Sequence, residues 1–127
     1  MDDKERERLL GILYCDREGN SITNVEWMKL FSDRDYQSVK VTTLSDGRKI
    51  STVWLGLNHN GNYFETALID DDGIDVLFRY QTEKMALLGH RNYVEELMVE
   101  SDATIVEEDS KILEFQDELE KIRSDDE

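Results

Sequence analysis

The sequence predicts an α+β fold: an antiparallel β-sheet built as a meander of hairpins, a short N-terminal helix and two C-terminal helices, with copies dimerising through the helices. Three observations predict it. Asp46-Gly47 separates two runs rich in β-branched residues, Val39–Leu44 and Lys49–Leu57, a strong short-range hairpin signal. A second pair of apolar runs, Tyr63–Ile69 and Ile74–Gln81, flanks Asp70-Asp71-Asp72-Gly73. Thr82 then precedes a stretch in which Ala86, His90, Tyr93, Val94 and Leu97 recur at helical spacing.

The elements follow in order. Residues 2–8 are charged without a break and extend or fray a first helical turn. Leu9–Tyr14 is a short apolar run, and Asp16–Asn20 supplies turn chemistry, so a strand and turn or a short hairpin is expected, continued by Ile22. Thr23 or Asn24 caps a helix over about 24–32. Val25, Met28 and Phe31 share one of its faces, with Trp27 and Leu30 alongside, and Asp33-Arg34-Asp35 closes it. In the strand Lys49–Leu57, Ser51, Val53, Leu55 and Leu57 point one way and Ile50, Thr52, Trp54 and Gly56 the other. Both faces carry apolar groups, which places this strand in the middle of the sheet. Asn58–Asn62 is a second polar turn.

After Thr82, Glu83 complements the helix dipole. Ser101-Asp102 breaks the helix, and residues 107–123 read as a last one, with Ile112, Phe115, Leu119 and Ile122 forming a narrow seam. A seam this thin does not hold an isolated helix, so a partner helix from a second copy is expected. The domain reading is therefore a single globular unit over 1–100 and an acidic dimerisation helix with a frayed end over 101–127.

Charge narrows the function classes. The net charge is −15, and residues 95–127 carry −11 of it, with 14 acidic and 3 basic residues. Such a field repels phosphate backbones and anionic membranes, so neither a nucleic acid duplex nor a membrane surface is an expected partner. The acidic C-terminal part suits a different use, imitation of DNA to occupy a DNA-binding protein. Cys15 is the single cysteine, which excludes an internal disulfide and suits a reducing cytoplasm. Met1 is followed by charged residues rather than an apolar run, so no secretory signal is expected, and no stretch approaches the roughly 20 apolar residues of a membrane span.

No constellation supports catalysis, so no enzyme and no catalytic residue is expected. The histidines, His59 in a polar turn and His90 on an apolar helix stripe, lack zinc-ligand spacing. Asp70–Gly73 departs from a calcium loop after Gly73. No phosphate loop or nucleophile elbow occurs, and no metal or cofactor is expected. Binding chemistry gathers instead between the second hairpin and the helix. Arg79 offers a planar fork for phosphate or a stacking plane for a base; the plainer alternative is an ion pair with Glu65 or Asp75. It follows Phe78, which is expected to be buried. Tyr80 can stack on an aromatic ligand and donate through its hydroxyl, and Asn92 can read a purine edge. His90 either contacts ligand or is a core histidine bonded to a strand carbonyl. Thr52 and Trp54 share a sheet face and would complete a concave wall, the alternative for Trp54 being core packing. Arg48 is a further candidate for phosphate.

Ser51-Thr-Val-Trp-Leu-Gly-Leu-Asn-His59, Phe64-Glu-Thr66 and Arg79-Tyr-x-Thr-Glu-x-x-Ala-x-x-Gly-His90, with Asp16-x-x-Gly-Asn-x-Ile22 and Glu26-Trp-Met28 upstream, resemble a family of small proteins of bacterial viruses and prophages. The pattern covers most of residues 12–95. Asn58 stands where many members have Asp, and Asn60-Gly61-Asn62 where they carry a longer Gly/Pro-rich insertion. The chain is similar in layout to the Thoeris anti-defence sponge proteins. That resemblance implies capture, without cleavage, of a small cyclic nucleotide signal (a cyclic ADP-ribose isomer, or a cyclic oligonucleotide) by a homodimer or higher homo-oligomer in the host cytoplasm. The implied ligand groups are Arg79, Tyr80, Asn92 and Arg48. The alternatives are an acidic DNA mimic or protein inhibitor acting through the C-terminal helix, a small enzyme degrading the signal, and a phage assembly component.

Overall fold

The computed structural model describes residues 13–110. Within them the order is α1 (Asn24–Phe31), α2 (Arg34–Gln37), β1 (Ser38–Leu44), β2 (Lys49–His59), β3 (Asn62–Asp70), β4 (Gly73–Tyr80), α3 (Glu83–Ser101) and β5 (Ile105–Ser110). The strands form one antiparallel sheet in the order β4-β3-β2-β1-β5. The expected α+β meander is present, and β2 is its central strand.

Turn chemistry sets the register. Asp46 Oδ1 accepts from the Arg48 amide at 3.0 Å in the first hairpin. Asn60 and Gly61 both adopt positive φ, the two-residue turn whose twist matches the flanking strands. Asp70 Oδ1 accepts from the amides of Asp72 and Gly73, so the acidic run is a turn. Thr23 caps α1 and Thr82 caps α3 through their hydroxyls. Asp33, expected only to close α1, caps α2 by accepting from the amides of Asp35 and Tyr36.

One face of β2 (Ile50, Thr52, Trp54) builds the core. Trp54, Val39, Phe64, Tyr80 and Ala86 form a cluster with Trp27, Leu30 and Tyr36 packed against it. This brings all three helices to one side of the sheet. A second cluster joins Leu44 and Ile50 to Val94 and Ala103. On α1 the buried side is Trp27 and Leu30, and Val25 and Met28 are exposed. On α3, Ala86, His90 and Val94 are buried, with Tyr93 and Leu97 half-buried. Gly56 and Gly89 permit two close approaches: a Cβ at Gly56 would overlap the Trp54 indole, and one at Gly89 the Tyr80 ring and hydroxyl. Before α1, isolated bridges pair Tyr14 with Leu57 and Cys15 with Ser21, and the expected Asp16–Asn20 turn is present; Leu13 is helical rather than extended, and the expectations for residues 2–12 lie outside the described residues. Arg17 ties this segment to the rest by an ion pair with Glu83 and a 3.1 Å hydrogen bond to the Tyr36 carbonyl.

Two expectations are corrected. Residues 107–110 lie in strand β5 rather than opening a helix; the remainder of the expected helix, 111–123, lies outside the described residues. The reason is non-local. After Asp102 takes the left-handed conformation, reciprocal bonds between Ser45 and Thr104 lay the β-branched pair Ile105-Val106 along the open edge of β1. The folded unit thus continues past residue 100. Phe78, expected inside, is 56 % exposed. Phe78 sits opposite Thr66 on the core face and against the Tyr80 ring, but β4 is the edge strand of the sheet and leaves this side chain open to solvent. No helix among the described residues is long and apolar enough to cross a membrane.

Candidate functional site

The site-bearing core is polar. Thr52 and Thr66 are directly opposed on β2 and β3, Thr42 lies on β1, and α3 lowers His90 onto all three strands' buried face. His90 is 1 % exposed, and both ring nitrogens are occupied: Nε2 lies 2.8 Å from Thr42 Oγ1 and Nδ1 2.7 Å from Thr52 Oγ1. The tautomer follows from bonding capacity. Thr42 donates to Glu108 Oε1 at 3.3 Å, since an ionised carboxylate only accepts. Its oxygen is then free to accept from Nε2–H, which leaves Nδ1 to accept from Thr52. Thr52 in turn accepts from Thr66 at 2.6 Å. Burial, with a smaller push from the Lys40 charge, lowers the His90 pKa to about 4 against the opposing pull of Glu108. The imidazole is neutral at pH 7. At the far end of this chain the Tyr80 hydroxyl is buried without a well-formed hydrogen bond. Burial raises its pKa, and the nearby Thr66 hydroxyl offsets part of the rise.

Beside His90, a cleft of about 320 Å³ opens between α3 and the β1–β5 edge. Val94, Met98 and Ile105 line its apolar wall. Two cations flank it, each already facing an acid: Lys40 Nζ is 3.4 Å from Glu108, and Arg91 Nε is 3.1 Å from Glu95. The cleft continues past Val99 to Asp102 and Ala103 as a shallower trough. Among the described residues, no three His, Cys, Asp or Glu side chains gather in a way that could hold a metal ion.

The residues expected to form one site are dispersed. Trp54 is fully buried, with Nε1 donating to the Cys15 carbonyl at 2.9 Å and Tyr36 meeting its ring edge-on. Thr52 and Tyr80 are also core residues. Arg79 pairs with Glu65 at 3.1 Å across β3–β4, on the face opposite Tyr80, as its plainer reading anticipated. Arg48 binds Asp46 and the Ser101 hydroxyl, joining the first hairpin to the end of α3. Asn92 is exposed. Thr52 and His90 come together in the hydroxyl network and Trp54 and Tyr80 in the apolar cluster, and the partners of His90 are hydroxyls rather than the expected strand carbonyl. The seven residues are divided between the buried core (Thr52, Trp54, Tyr80, His90) and separate surface positions (Arg48, Arg79, Asn92). The cleft instead presents Lys40, Arg91, Glu95 and Glu108, which sequence reasoning passed over. One signal was available: Lys40 is the single charge in Ser38–Leu44.

Compared with family models, curated proteins and solved structures, the chain matches none.

Proposed function

We propose that this protein captures a phosphate-bearing small molecule of the cyclic nucleotide class and releases it unaltered, in the manner of the anti-defence sponges that its sequence resembles. The observation that carries this reading is the cleft flanked by Lys40 and Arg91. Its volume suits a small ligand, and its apolar wall suits the flat side of a base or ribose. A phosphate group entering there exchanges with the carboxylates of Glu108 and Glu95 for charge-assisted bonds to the two cations. His90 favours holding over chemistry: both nitrogens are committed to threonines, and burial keeps the ring neutral. The exposed apolar side chains on α1 (Val25, Met28) and β4 (Ile74, Val76, Phe78) support an assembly of two or more copies. The host cytoplasm is the compartment this role requires.

The test is to incubate the protein with a cyclic ADP-ribose isomer, separate the complex, denature it and identify what is released. Intact nucleotide in stoichiometric amount is expected. New products would convert the reading to an enzyme, and no retained nucleotide would end it. A second reading has one observation in its favour. Glu95, Glu96, Glu100, Asp102, Glu107 and Asp109 are all exposed along α3 and β5, an acidic surface suited to a basic, DNA-binding partner. Charge-reversing substitutions at Glu96 and Glu100 separate the two: they abolish capture of such a partner and leave nucleotide retention intact.

A further inference from the structure

β4 reads Gly-Ile-Asp-Val-Leu-Phe-Arg-Tyr, apolar on both faces like the central strand β2, yet among the described residues it is an edge of the sheet. Ile74 and Val76 lie opposite Ile69 and Ala67 on the face away from the helices, and Phe78 lies opposite Thr66 on the core face. They are 69 %, 50 % and 56 % exposed. An open edge offers unpaired backbone N–H and C=O groups, and natural sheets blunt such edges with charge. The other edge, β5, is blunted in that way by Glu107, Glu108 and Asp109. β4 carries Asp75 and Arg79, and Arg79 is engaged with Glu65 inside its own sheet. A register shift beside Thr66 and Ala67 bends β4 without charging it. We propose that β4 pairs antiparallel with the β4 of a second copy of this chain, joining the two sheets edge to edge.

Two observations select a second copy as the occupant. The first is where the charge lies. In the order β4-β3-β2-β1-β5 the acidic strand stands four strands from β4, about 19 Å at a spacing of about 4.8 Å. That exceeds two Debye lengths at physiological salt, each about 8 Å. Two acidic chains thus approach through β4 with their β5 charges screened from one another, and pairing there holds the two β5 strands about 43 Å apart. The second is symmetry. Pairing β4 with β4 uses the same patch twice about a two-fold axis and closes at two copies, leaving a guarded β5 at each outer edge. Pairing β4 with the β5 of another copy would lay apolar side chains beside carboxylates and continue without end. The direction follows as well. The acidic turn at Asp70, Asp71 and Asp72 closes the β3–β4 hairpin, so parallel pairing would bring two such turns together. Antiparallel pairing holds them at opposite ends and gives Ile74, Val76 and Phe78 neighbours across the new strand pair.

The pairing selects β4 over the exposed side of α1 as the surface of assembly. It does not depend on the nucleotide, and its test uses none, so its failure and that of the capture reading are told apart. Sedimentation velocity of the full chain over a wide range of concentration gives the oligomeric state. An equal mixture of ¹³C-labelled and ¹⁵N-labelled protein, unfolded and refolded together, gives isotope-filtered NOEs between copies. A dimer whose between-copy NOEs join residues 74–78 of both chains is expected. A monomer at every concentration would overturn the proposal, and so would a dimer whose between-copy NOEs lie elsewhere. Val76→Lys sets a charge at an exposed position of the edge and is expected to weaken dimerisation about tenfold or more, with native circular dichroism. Met28→Lys, on the exposed side of α1, is expected to leave dimerisation unchanged. An equal effect of the two, or a larger one for Met28→Lys, contradicts the β4 pairing. Should Val76→Lys fail to fold, the NOEs of the unsubstituted protein decide.

Discussion

The hydrogen between Thr52 and His90 lies on the threonine side: Thr52 Oγ1 donates to His90 Nδ1 across 2.7 Å. The direction is set 48 residues away in sequence from His90, where Thr42 spends its own proton on Glu108 and accepts from Nε2–H. Three strands and one helix are therefore joined by a single run of hydroxyls and one neutral ring. Each group in it has one role, and removing a member leaves its neighbour unpaired in the interior.

Thr52→Val keeps the shape of the side chain and removes both the donor to His90 and the acceptor for Thr66. An unpaired buried polar group costs about 1–3 kcal/mol, so this variant is expected to lose stability in that range in urea unfolding. The m-value should not change.

The His90 shift fixes a pH dependence. In the unfolded chain the ring takes a proton below its ordinary value of 6.5, but in the native protein only below about 4. Between these values the unfolded state binds more protons, so stability rises with pH. The contribution is complete above pH 6.5 and is lost as pH falls towards 4, by up to about 3 kcal/mol at 1.36 kcal/mol per unit. Urea midpoints across this window, compared with His90→Gln, check it: the variant should show a shallower slope. NMR titration of the His90 ring should find it neutral at pH 6.

Gly89→Ala places a methyl group where the Tyr80 ring and hydroxyl stand. Overpacking of a core site costs about 1–3 kcal/mol, and the loss should appear in thermal unfolding. Tyr80→Phe, in contrast, removes a buried hydroxyl that lacks a well-formed partner and is expected to be neutral or slightly stabilising.

Arg79 and Lys40 should separate in their effects. Arg79 forms an exposed pair with Glu65, so Arg79→Ala is expected to cost no more than about 1 kcal/mol in stability and to leave ligand affinity unchanged. Lys40→Met removes a cation at the cleft and is expected to weaken nucleotide binding by about 1.5–3 kcal/mol. Isothermal titration of both variants checks the contrast.

Local chemistry made most of the fold legible. The Asp46-Gly47, Asn60-Gly61 and Asp70–Gly73 turns and the Thr82 cap are all short-range signals, and the two apolar faces of β2 announced a central strand. β5 was not legible, because Ile105–Asp109 is acidic like the sequence after it and becomes a strand only against the free edge of β1. The exposure of Phe78 is likewise a tertiary feature: it sits opposite Thr66 on the core face, but on the edge strand of the sheet. At the site, the helical stripe found His90, but its partners come from two strands, Thr42 on β1 and Thr52 on β2, whose relative register no local pattern reveals. Threonines at buried strand positions look the same in sequence as threonines chosen for β propensity.

The most direct test of the capture reading is to titrate ¹³C-methyl-labelled protein with a cyclic ADP-ribose isomer and follow the methyl resonances by NMR. Saturable shifts at Met98 and Val94, abolished by Lys40→Met and accompanied by recovery of unaltered nucleotide, are expected. Shifts confined to residues outside the α3–β1–β5 cleft, or none at millimolar nucleotide, would contradict it.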